Sequence, residues 1–306
     1  MSKISKDKFK KIKINSMESE KIGRPQIGYW QDAWRRLKTN KVAILSLIIL
    51  SLILIMTIIG PKLSGHMYEA VEGANKNMSP DSTHWFGTDE LGRDLFARVW
   101  QAGRVSMIIG IAGALIAATI GTLYGGVSAY FGGKVDTVMM RIVEILMSIP
   151  YLLVVILVSI VTDSKSVGTM ILALTITGWC DTARMVRGQM LQIKSQEFIM
   201  AAEALAVKPS KIITKHLIPN VLNVLIVSIS FAIPRYIFSE SFLSYIGLGV
   251  QPPATSWGAL ASAAQQHFVF YPYQLFFPGL MIALTMLSFT LLGDGLRDAL
   301  DPRLRE

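Results

Sequence analysis

Residues 197–220 read EFIMAAEALAVKPSKIITKHLIPN, a charged and amphipathic stretch set between two long apolar blocks. From Glu197 to Ala206, Phe198, Ala201, Ala202 and Leu205 recur at i, i+3, i+4 and i+7, which is one face of a helix. Alanines on such a face let another backbone come close. Pro209 suits the first turn of a second helix, where its missing N–H would be unpaired anyway, and Ile212, Ile213 and Leu217 continue the stripe. Pro219 closes the segment just before the next apolar block. The pattern predicts two short helices joined by a turn near Ala206, built to dock on another molecule.

The flanking blocks read as membrane spans. Hydrophobic residues make up 52% of the 306, and the mean hydropathy of +0.45 is above that of an ordinary soluble domain. Six segments approach the roughly 20 apolar residues that cross a bilayer: Val42–Ile59, Ser106–Ala129, Ile142–Val161, Val167–Met185, Leu217–Glu240 and Tyr271–Gly293. Asp181 and Arg184 fall near the end of the fourth, and Arg235 lies in the fifth. The expected fold class is therefore all-α integral membrane, with six transmembrane helices over residues 41–293. Its outer loop covers 62–105 and its docking loop 186–219. Residues 1–40 read as a basic tail with an amphipathic approach (Tyr29, Trp30, Trp34, Arg35, Arg36), and 294–306 as a C-terminal tail.

Placing both termini in the cytoplasm puts 23 of the 30 Lys and Arg residues on the inner side, as the positive-inside rule requires. The net charge of +9 then reads as affinity for anionic membrane lipid and not for nucleic acid. The first apolar run starts too late and runs too long for a cleavable signal peptide. A single cysteine, Cys180, excludes an intrachain disulfide and a multi-cysteine metal site.

Several motifs carry chemistry or packing. Gly113, Ala117, Gly121, Gly125 and Ala129 recur every four residues, a stripe on which helices pack closely in lipid. The outer loop carries HWFGTDELGRD from His84 to Asp94, a tightly turned and charged string. His84 and its acids are metal-ligand types, but no metal site is expected, because the other ligands would have to come from distant segments. Pro234 and Arg235 should interrupt the fifth span, with Glu240 beyond them. Ionisable residues at membrane depth either pair with one another or line a solute pathway, so Arg235 and Glu240 are the candidate pathway residues. Gly133-Lys134 is the nearest approach to a phosphate-binding loop, but Ser128 and Val135 occupy positions that motif needs filled by Gly and by Ser or Thr. No catalytic motif is present and no cofactor is expected on this chain.

Ala201-Ala202, the small residue at 206, Ile212 and Ile218-Pro219-Asn220 together resemble the cytoplasmic "EAA" loop of permease subunits of bacterial ABC importers. One departure is that the family usually has Gly where this chain has Ala206. The string from His84 to Asp94 resembles the "FGTD…GRD" signature of the second permease subunit of peptide and nickel importers. The strings Ser239–Pro253, Ser256-Trp257-Gly258 and Gly293–Arg303 resemble the peptide-importer branch too, so the resemblance runs from about Tyr29 to Arg303. It implies a type I ABC importer permease fold in the bacterial cytoplasmic membrane, with the 186–219 loop carrying the coupling helix. The residues that resemblance assigns to ATPase docking are Glu197, Ala201, Ala202, Glu203, Leu205, Ala206, Ile212, Ile218 and Pro219. It also implies partners: a sister permease, two cytoplasmic ATPases that bind ATP and Mg, an external solute-binding protein, and an oligopeptide, dipeptide or nickel-chelate substrate. A secondary transporter driven by an ion gradient is the rival reading, but such proteins tend to show paired broken helices, and only one Pro-Arg break is present here.

Overall fold

Short polar caps set where the long helices begin. In the computed structural model, which describes residues 28–301, the Asn40 side chain accepts from the Ala43 N–H (3.1 Å) and starts α2 (Lys41–Leu63). Asp94 does the same for α3 (Leu95–Phe131) through the Ala97 N–H (2.8 Å), and Ser166 for α6 (Val167–Lys194) through Thr169 (3.2 Å). The other helices are α1 (Tyr29–Thr39), α4 (Gly133–Ser148), α5 (Tyr151–Thr162), α7 (Glu197–Ala204), α8 (Pro209–Tyr245), α9 (Trp257–Gln265) and α10 (Pro272–Leu300). No strand forms among the described residues; Thr88 and Asp94 make one isolated antiparallel bridge. Residues 1–27 of the expected basic tail and the last five residues lie outside the described residues.

Four helices are long and apolar enough to cross a membrane: α2, α3, α8 and α10. The third expected span, Ile142–Val161, is not one straight helix. It breaks at Ile149-Pro150, where α4 and α5 meet at 84°, and counting that bent pair as one span makes five. A proline clashes with helical geometry in the residue before it, which accounts for the break. The fourth expected span lies within α6, which fails on polarity and not on length. Its 28 residues reach about 42 Å, but Asp181, Arg184, Arg187 and Lys194 fall in its second half. Of the six expected spans, four, or five with the bent pair, are long and apolar enough by length and composition among the described residues.

Pro234 does not interrupt the fifth span as expected: α8 runs unbroken from Pro209 to Tyr245, and Pro234 is buried in it. Neighbouring helices can shield the backbone groups such a proline leaves free. The first part of α8 is instead wound more widely, as a π-helix over Ile212–Leu217.

Helix α3 is the axis of the bundle. Of its most apolar stretch 61% is buried, against 22–28% for the other three spanning helices. The small-residue stripe explains why. A methyl group at Gly121 would lie 2.7 Å from the Trp179 carbonyl oxygen, and one at Gly125 would lie 2.4 Å from that of Ala183, so α3 and α6 touch backbone to backbone. Gly113 meets the Tyr236 ring of α8 instead. One buried cluster surrounds the first half of α3 and Trp257 of α9; a second surrounds its last turns and the 199–217 segment. Outside, α2 presents Leu45, Ile48, Leu52, Ile55 and Ile58 to the surroundings, an apolar band suited to lipid.

Candidate functional site

The stretch from 197 to 220 folds as two helical pieces around a turn. At the end of α7 the Ala206 N–H donates to the Glu203 carbonyl (2.9 Å) and the Val207 N–H to that of Ala202 (3.1 Å). These two bonds make a Schellman motif, which puts Ala206 at the left-handed position with φ of +53°. Glycine favours that conformation, and alanine holds it at a steric cost.

The residues expected to dock, with their neighbours, separate into two sets. Ile199 (0% exposed) and Ala202 (7%) face inward against Val186, Met190, Ile212, Ile213 and Leu217, and so bind the hairpin to its own subunit. Ile212 is fully buried and Ile218 half-buried. Phe198 (42%), Met200 and Leu205 (80%) point outward, along with Glu197, Ala201, Glu203, Ala206 and Pro219. The expected stripe of Phe198, Ala201, Ala202 and Leu205 is therefore not one face of the packing, because the run FIMAA is apolar at every helical phase and periodicity alone selects no register. Ile199 is the anchor that sequence reasoning missed.

A cavity of about 1100 Å³ opens between the α4–α5 break, α6 and α8. Its wall mixes apolar side chains with polar and charged ones, among them Thr177, Asp181, Ser228, Arg235, Ser239 and Arg297. Arg235 Nη1 lies 3.5 Å from Asp181 Oδ2, with the two side chains 69% and 64% exposed. Arg235 is not paired with Glu240. Five residues along a helix rotate the direction by about 140°, so Glu240 points into the bundle. There it is fully buried, accepting from Ser106 Oγ (2.9 Å) and Ser244 Oγ (2.7 Å), with Ser241 Oγ at 3.4 Å. Ser256 Oγ donates to Ser244 Oγ (3.2 Å), and the Trp257 N–H reaches Ser106 Oγ (3.3 Å). The carboxyl thus ties α3, α8 and the start of α9 together and does not line the cavity, a departure from its expected place in the pathway.

On the hairpin side, Asp136 of α4 accepts both a Ser128 hydroxyl bond and a two-pronged grip from Arg187 of α6. Lys194 donates to the Tyr130 carbonyl. Planar guanidinium matches carboxylate geometry, so this contact fixes α4 on α6 in orientation as well as position.

In the loop before α3, the turns expected from glycine and charge are present. Gly87 and Gly92 have φ of +74° and +78°, and Arg93 pairs with Asp89 at 2.7 Å. The Asp81 carboxylate is held below its usual range by the backbone N–H groups of His84 and then Thr83. His84 Nδ1 lies 2.9 Å from Asp94 Oδ1, both buried, and the His66 ring lies over that of His84 with centroids 4.5 Å apart. Sequence distance hid His66 from the reading of this loop.

Several helices long and apolar enough to span a bilayer, packed around an open cavity, mark a multi-pass membrane protein. Residues 110–306 match the family described as binding-protein-dependent transport system inner membrane component. Residues 28–80 match the N-terminal transmembrane domain of oligopeptide transport permease C. The chain belongs to this family of ABC importer permeases, which are transport subunits and not enzymes. It is 48% identical to the dipeptide transport system permease protein DppC of Bacillus subtilis (strain 168) over 94% of this chain and 90% of that one. It is 44% identical to the oligopeptide transport system permease protein OppC of the same organism over the full length of both. With OppC of Escherichia coli (strain K12) the identity is 45% over 94% and 95%. An inward-facing structure of the MetNI methionine ABC transporter matches 68% of this chain and 96% of that chain with a TM-score of 0.53 at 20% identity, a likeness of fold.

Proposed function

We propose that this permease carries peptides into a bacterial cell, paired with a sister permease, driven by two cytoplasmic ATPases that bind ATP and Mg, and supplied by an external binding protein. The names of its relatives, oligopeptide and dipeptide permeases, support the substrate class. In this reading α6 and the bent α4–α5 pair complete six spans, and both termini are cytoplasmic, consistent with the charge distribution.

The observation that carries the mechanism is the two-sided hairpin. Phe198, Met200 and Leu205 stand exposed on a helix whose other side is held in the subunit by Ile199 and Ala202. An apolar surface on a rigidly held element suits a partner that must push it. The ATPases would seat on that outer side, and their closure on ATP would move α7 with α6 and α8, to which Ile199 and Ala202 couple it. The cavity beside Asp181 and Arg235 would then open to the opposite side. The exposed Arg235 can meet a peptide carboxylate there, and Asp181 its ammonium.

Proteoliposomes holding the full complex test this. Uptake of a labelled peptide should require external binding protein and internal ATP, and should survive collapse of the proton gradient. Uptake that persists without ATP but stops with an ionophore would overturn the ATP-driven reading.

A further inference from the structure

We infer that His66, His84 and Asp94 form a binding site for a borderline-soft divalent metal ion of the Zn²⁺ type, joining the end of α2 to the start of α3. One ligand atom from each of the three lies within 4.8 Å of the others. The inference is independent of the peptide reading, since it concerns a loop away from the cavity and the hairpin.

The donor set suits such an ion: two imidazoles and a carboxylate leave one position for water in a four-coordinate site. Two ligands are already fixed. The His84 backbone N–H is held by Asp81 Oδ1 (2.6 Å), and Asp94 is fixed as the α3 cap through its Oδ2. Their 2.9 Å separation is close to the roughly 3.3 Å between neighbouring ligands when the metal bonds are 2.0–2.1 Å. The third ligand is adjustable: His66 is half-buried in the turn after α2, and its ring nitrogens make no hydrogen bond among the described residues. A shift of about 1 to 1.5 Å of that ring would close the triangle.

Binding replaces the proton between His84 Nδ1 and Asp94 Oδ1 with the metal, and the proton leaves to solvent. No redox change is involved. The site would add a cross-link between the ends of two spans that already pack on each other at Gly60 and Trp100.

The test uses the whole importer complex, purified by a tag without histidines, stripped with chelator and dialysed against Zn²⁺. Metal content by mass spectrometry should be one equivalent higher for the native complex than for His66→Ala. Asp94→Asn keeps a capping oxygen but loses the charge, and should weaken Zn²⁺ binding on the order of tenfold or more. Added Co²⁺ should give tetrahedral visible bands in the native complex alone. Equal Zn²⁺ content in the native complex and both variants, or in the native complex and whichever variant assembles, overturns the site; the His84–Asp94 contact is then a hydrogen bond supporting the helix cap and nothing more.

Discussion

Ala206 is the residue where sequence and backbone disagree. Its left-handed φ of +53° costs an L-residue about 1–2 kcal/mol, whereas Gly there adds about 0.4–1 kcal/mol of unfolded-state entropy. The steric term is larger, so Ala206→Gly should stabilise the hairpin by roughly 0.5–1 kcal/mol. Hydrogen exchange of the Val207 amide, which bonds to the Ala202 carbonyl, should slow accordingly, and faster exchange would contradict the strain. Ala202 and Leu205 answer a different question, because one faces in and the other out. Ala202→Arg puts a charge among Ile199, Ile212 and Leu217 and should cost several kcal/mol, lowering the melting temperature of the subunit itself. Leu205→Asp should leave that temperature unchanged and abolish co-purification of the ATPases. If both variants retained the ATPases, the docking assignment would fail.

At the scale of elements, the contact between α3 and α6 sets the tightest constraint. Gly125→Ala would place a methyl 2.4 Å from the Ala183 carbonyl oxygen, which must move apart at a cost of about 1–3 kcal/mol. Thermal unfolding should show that loss, while the same change at Gly188, where a methyl group meets nothing within 4 Å, should not. The junction of α3, α8 and α9 depends on Glu240 in a comparable way. Glu240→Gln keeps one oxygen to accept from Ser106 or Ser244 and gains an NH2 that can donate to the other, whereas Glu240→Ala leaves both hydroxyl protons without this acceptor and opens a void. The alanine variant should unfold well below the glutamine variant; equal melting temperatures would show that the carboxyl is not what ties these helices.

For the whole molecule the question is whether the Asp181–Arg235 pair serves assembly or transport. Exposed pairs contribute about 0–1 kcal/mol, and both side chains here are more than half exposed. Arg235→Gln should therefore leave complex yield intact. If the cavity is the pathway, the same variant lowers uptake of free-carboxyl peptides more than of C-terminally amidated ones, since only the former present a charge to Arg235. Equal losses for both peptides would remove Arg235 from the pathway.

Much of this architecture was legible without coordinates. The apolar blocks and the amphipathic stretch from 197 to 220 follow from composition and spacing, which are local; the left-handed turn at Ala206 does not, since alanine disfavours it, and only the Gly usual there in the resembling family pointed to it. Where the chain breaks at Pro150, and where it continues through Pro234, is not local: both prolines disfavour helix, and only the neighbours packed around α8 decide that one stays helical. The same holds for the charges of α6, of which Arg187 finds Asp136 and Asp181 finds Arg235 only in the folded chain. Arg235 and Glu240 lie close in sequence but face opposite sides of a helix, and His66 and Asp94 lie far apart but meet. Partners brought together by folding, and the choice between two apolar faces of α7, depend on three-dimensional packing, which residue order constrains but does not state.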